Sequence, residues 1–144
     1  MECKPKGYLY LKISSIIIIV LNFLGLGTII SQMINPSELT SNIEKSLSVK
    51  NINEESILIT IFISLLTILW GLITGTLGIL NSEKIEKAKD CVIFGIIYLV
   101  LFLTNGIIAT LSLNYPLVIL ICLVGAVLPV LYLVGALKNK EYLE

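Results

Sequence analysis

The chain contains no histidine and no arginine, and it is short of charge altogether: 14% of its 144 residues are charged, against about 25% in a soluble domain. So little charge cannot cover a water-facing surface. The charges are also missing in blocks, with none in 13–37, 56–82 or 91–137. Without histidine, arginine or a carboxylate inside these blocks, hydrolysis within a membrane has neither base nor metal, so an enzyme is not expected. Proton- or cation-coupled transport ordinarily needs a titratable group inside the membrane, and none is present.

Cysteine is sparse too. Cys3, Cys91 and Cys122 stand alone, with no paired spacing, which gives no zinc site, no redox motif and no expected structural disulfide. No cofactor is expected. The net charge of zero provides no field to attract nucleic acid. Abundant Ile, Asn and Lys suggest a microbial source. Lys4, Lys6 and Lys12 before an apolar run resemble a signal peptide, but the run is too long for one and lacks a small-x-small cleavage site. It reads as a retained anchor.

What the sequence does have is apolar length, with 56% hydrophobic residues and a mean hydropathy of +0.97. A spanning helix needs roughly 20 apolar residues. The uncharged blocks predict four spans in one domain, over 13–34, 57–80, 91–113 and 117–137. The last two share one uncharged stretch, divided at Asn114-Tyr115-Pro116 because Asn favours turns and the residue before Pro avoids the α region. Tyr115 is expected at headgroup level. Lys4, Lys6, Lys12, Lys84, Lys87, Lys89, Lys138 and Lys140 fall on one side, and only Lys45 and Lys50 on the other. By the positive-inside rule both termini are cytoplasmic, in a multi-pass protein of the cell membrane. The outer loop 35–56 has Leu39, Ile43 and Leu47 at four-residue spacing after Pro36, which predicts a short amphipathic surface helix. In the cytoplasmic hairpin 81–90, Ser82 is expected to cap a helix starting at Glu83-Lys84, with Ile85 and Ala88 turned inward.

Nearly every position within a span is apolar, so the informative period is that of small and polar residues. In the second span Thr60, Ser64, Thr67, Gly71, Thr74 and Gly78 follow alternating steps of four and three. The third gives Cys91, Gly95, Tyr98, Phe102, Asn105, Ala109 and Ser112, and the fourth Cys122, Gly125, Pro129, Tyr132 and Ala136. Ser15, Asn22, Gly25 and Gln32 mark a weaker stripe in the first. A 3.5-residue repeat implies left-handed supercoiling at crossing angles near +20°. The predicted fold is therefore an all-α membrane protein, an antiparallel left-handed four-helix bundle. Gly71, Gly78, Gly95 and Gly125 are the candidate packing glycines, with Gly75 beside the seam as a small-xxx-small partner of Gly71.

Asn22, Thr67, Tyr98, Asn105 and Tyr132 are the candidate polar interior. They serve either as hydrogen-bonded packing contacts or as a path, because an unpaired polar group in hydrocarbon costs several kcal/mol. Pro129 removes a backbone bond to Gly125 and is a candidate hinge. The small four-span multidrug exporters resemble this chain in architecture alone, since they carry a Glu in the first span where Asn22 stands here. The expected function is that of a non-catalytic accessory or interaction subunit, in contact with lipid and with a membrane-protein partner or a second copy. The alternative is a small oligomeric transporter or channel. A dry, packed centre supports the first, and a polar cavity open to one side supports the second.

Overall fold

Backbone groups in hydrocarbon have no water to bond, so an apolar run must satisfy them within its own segment, as a helix does. In the computed structural model, which describes residues 5–34, 54–113 and 117–141, five α-helices do so. They are α1 (Tyr8–Ile34), α2 (Glu54–Asn81), α3 (Ala88–Leu113), α4 (Leu117–Gly125) and α5 (Val127–Lys140). No strand occurs among the described residues. Four helical segments are long and apolar enough to cross a membrane: α1, α2, α3 with the short turn before it, and α4 continued by α5.

The helices overrun the boundaries set by charge. The first helix begins at Tyr8, ahead of the expected span start at 13, the second at Glu54, ahead of 57, and the third at Ala88, ahead of 91, and the last helix runs to Lys140, past 137. Charge ends the hydrocarbon contact, not the helix. Lys12 lies inside α1 and donates to Tyr8 Oη at 2.8 Å, and the Lys138 ammonium sits 4.7 Å from the centre of the Tyr10 ring. Long basic side chains reach a polar zone in this way while their stems stay in apolar surroundings.

The hairpin corrects one expectation. Ser82 does not cap a helix; its hydroxyl donates back to Ile79 O at 3.0 Å. At the end of α2 the last carbonyls lack partners, so a hydroxyl there finds an acceptor behind it. A single 3-10 turn, Ile85–Lys87, follows without a side-chain cap. Ala88 is buried as expected, while Ile85 is only partly so. The surface helix expected in 35–56 and the turn at Asn114-Tyr115-Pro116 fall chiefly outside the described residues.

α1 packs against α2 and α5, and α3 packs against α2, α4 and α5. The spans thus follow one another around a ring, and each adjacent pair runs antiparallel. Asn22 faces Gly71 and Ser15 faces Gly78; Thr60 meets Ser112 and Ser64 meets Asn105; Phe102 faces Gly125 and Gly95 faces Tyr132. Hydroxyls directed at lipid are satisfied within their own helix, as with Thr76 to Leu72 O and Thr104 to Val100 O. Every described lysine lies at the end formed by the start of α1, the α2–α3 hairpin and the end of α5.

Candidate functional site

The bundle differs between its two halves. In the half nearest the lysines, Leu11, Ser15, Ile18, Thr74, Cys91, Tyr132, Ala136 and Asn139 are fully or almost fully buried. Close approach explains this. A β-carbon on Gly78 would overlap Ser15 and stand 2.5 Å from Tyr132 Cε2, and one on Gly95 would stand 2.7 Å from Leu133 Cδ2. The Tyr132 ring is therefore held between two glycines. Gly75 is not free for a second copy: a β-carbon there would lie 2.6 Å from Ile19 Cγ1. At the outermost layer of this half, Gly7 meets Gly135 backbone to backbone, and Asn139 Nδ2 donates to Ser82 O at 3.0 Å. The start of α1, the end of α5 and the hairpin are thereby tied together.

In the other half the centre opens into a cavity of about 320 Å³. Asn22, Ser64, Thr67, Tyr98, Asn105 and Thr28 supply its polar lining, and Leu21, Gly25, Ile29, Ile68 and Phe102 the rest. Four of the five candidate interior residues thus meet around one space. Tyr132 does not join them, lying deeper in the sealed half against Gly78 and Gly95.

The hydrogen bonds in the cleft leave capacity over. Asn22 Nδ2 donates to Ile18 O at 2.7 Å and to Tyr98 Oη at 3.1 Å, which uses both amide hydrogens. The backbone carbonyl accepts only, so it fixes which end of the amide points there. Tyr98 Oη is therefore an acceptor toward Asn22, and its own hydrogen has no acceptor among the described residues. Ser64 Oγ donates to Asn105 Oδ1 at 2.9 Å, which leaves the Asn105 amine unspent among the described residues. Thr67 returns its hydroxyl to Ile63 O at 2.8 Å. The cleft thus offers donors at Tyr98 and Asn105 and an acceptor at Asn22 Oδ1, with no charged group in its lining. Among the described residues no three of His, Cys, Asp and Glu come together.

The sealed half is imperfect in the opposite way. Among the described residues Thr74 Oγ1 and Asn139 Oδ1 are buried without a hydrogen-bond partner, each at a cost of about 1–3 kcal/mol, and Tyr132 Oη has only the weakly bonding Cys91 thiol beside it. Between the halves, Pro129 is buried where α4 gives way to α5 at Ala126. It has no N–H to offer Gly125 O, while the bonds on either side, Ala126 N to Cys122 O and Val130 N to Ala126 O, are made.

Parts of this arrangement carry no signal in a stripe of small and polar residues. Leu11, Ile18 and Ile29 are buried and complete the α1 stripe begun by Ser15, Asn22 and Gly25, but as apolar residues in an apolar span they are indistinguishable from lipid-facing neighbours. Gly106, packed against Cys122, and the Gly7–Gly135 contact lie off the predicted seams. The side chain of Gln32 is outside the described residues. Comparison of the chain with protein families, with curated proteins and with solved structures finds no match.

Proposed function

We propose that the chain is a small, non-catalytic carrier-type protein of the cell membrane, with both termini cytoplasmic and its helices in a left-handed bundle, that holds a neutral polar ligand in the cleft. The observation that carries this reading is the set of unspent hydrogen-bonding atoms at Tyr98, Asn105 and Asn22, which face an open cavity instead of one another. Residues serving only to glue helices would exhaust their capacity on each other. A pure scaffold also has no use for a polar cavity of this size.

A carrier fits better than an open channel because the polar space ends at the layer of Ser15, Gly78 and Tyr132. The orphaned atoms of the sealed half lower the cost of parting it, since separation would expose Thr74 and Tyr132 to water. Pro129 lies where such a movement would bend the fourth span. An accessory-subunit role is supported less, because it anticipates a packed centre.

Thiol reactivity tests the cleft. In a chain with Cys3→Ser, Cys91→Ala and Cys122→Ala, the matched variants Ser64→Cys and Ser15→Cys are treated with N-ethylmaleimide in lipid vesicles. The thiolate is the reacting form and needs water around it, so Ser64→Cys is expected to react about tenfold faster or more. Equal, slow rates at both positions would show a dry, packed interior.

A further inference from the structure

Among the described residues the cleft has three walls. Its lining comes from α1, α2 and α3, with no residue of the fourth span. In a ring of four helices the outer half of the fourth span should close the remaining side. α4 instead packs on α3, while α1 meets the fourth span chiefly through α5. The missing wall is therefore the gap between α1 and α4, flanked by exposed Leu24, Ile121 and Val124. Toward the far end of the bundle Ile29 packs with Ile61, and Thr60 donates to Ser112. Toward the lysine-bearing end the Tyr132 layer closes the floor. Among the described residues the side left without a wall is the one between α1 and α4, which faces hydrocarbon in a membrane.

On the reading of the cleft given above, we infer that its ligand is the neutral hydroxyl- or amide-bearing headgroup of a membrane amphiphile, which passes between α1 and α4 while its chains stay in lipid. The lining matches both parts of such a molecule. A hydroxyl or amide accepts from Tyr98 Oη and donates to Asn22 Oδ1, and a second polar atom of the headgroup accepts from Asn105 Nδ2, two turns farther along α3. Leu21, Ile68 and Phe102 then cover the first carbons of the chain. An ionised headgroup finds no counter-charge in the lining and would be buried unpaired. A solute without chains would leave the apolar part of the cleft and its open side uncovered.

The test uses protection of Ser64→Cys from N-ethylmaleimide, with the full chain in phosphatidylcholine nanodiscs. Dioleoylglycerol is the neutral hydroxyl-headed probe, dioleoylphosphatidylglycerol the anionic control, and free glycerol the water-borne source of the same hydroxyl chemistry. Dioleoylglycerol is expected to slow labelling by about tenfold once it exceeds its dissociation constant tenfold, by mass action. The anionic lipid and glycerol are expected to leave the rate unchanged. Adding Tyr98→Phe, which removes one donor and keeps the ring, is expected to weaken protection severalfold relative to that variant's own unprotected rate. Protection by glycerol but not by dioleoylglycerol would overturn the sideways route, as would protection by none of the probes. Failure of Ser64→Cys to label in the absence of any probe would instead sink the underlying reading of an open cleft.

Discussion

At the scale of single residues, two kinds of contact hold the interior, and their magnitudes decide between them. An interhelical hydrogen bond such as Asn22 to Tyr98 contributes about 0.6 kcal/mol on average within a bilayer. Filling a closely packed site with an extra methyl costs about 1–3 kcal/mol. Close approach at glycine therefore outweighs the polar pairs in stability, and the polar pairs matter for what they leave unsatisfied. Gly78→Ala is expected to destabilise the chain by about 1–3 kcal/mol, because its β-carbon meets Ser15 and the Tyr132 ring, which Gly95 blocks from moving away. Gly27→Ala, where a β-carbon meets nothing within 4 Å, is expected to be neutral or stabilising, since alanine is the better helix former by about 1 kcal/mol. Thermal unfolding in mild detergent measures both, and similar losses at the two sites would refute the distinction. The sequence revealed Gly78 and Asn22 because small and polar residues stand out in an apolar span. Leu11 and Ile18 were hidden for the converse reason: without water as a reference, burial in protein and burial in lipid select the same side chains.

At the scale of elements, charge marked off the apolar stretches, and the helices run on past them. The helices continue into the polar zone at Lys12, Asp90 and Lys138 because lysine and acidic side chains at a helix end reach water without breaking backbone bonds. Ser82 looked like a cap because serine is a favoured N-cap acceptor, but its hydroxyl also donates, and its position just past α2 gave it a carbonyl behind it to bond. The break in the fourth span was legible from Pro129 alone, since the missing N–H is a property of the residue. Its consequence was not, because the separation of α4 from α1 depends on which neighbours each half finds. Pro129→Ala restores a donor for Gly125 O, so α4 and α5 are expected to join into one helix. Hydrogen exchange in detergent checks this: the new amide at position 129 should exchange as slowly as its helical neighbours, and rapid exchange there would mean that something other than the proline breaks the helix.

At the scale of the whole molecule, the chain combines a sealed half tied at its charged end with an open half that holds polar groups in reserve. On the proposed orientation, which rests on the lysine distribution, the sealed half is cytoplasmic and the cleft lies in the outer half of the bilayer. In the cysteine-free background, Lys45→Cys is expected to react with a membrane-impermeant maleimide on intact cells, and Glu141→Cys only after lysis; the reverse pattern would invert the cleft. The all-helical class and the four long apolar helices were legible in the sequence because the bilayer imposes them through length and hydropathy. The cleft was not, because Asn22, Ser64, Tyr98 and Asn105 show that polar groups face inward without showing whether they satisfy one another. The most direct measurement is water-edited solid-state NMR of the labelled chain in bilayers, which reports how fast magnetisation from water reaches each side chain. The Asn22 and Asn105 amides are expected to receive it early and the Tyr132 ring and Ser15 late, whereas equally late transfer to all four would contradict a one-sided polar cleft.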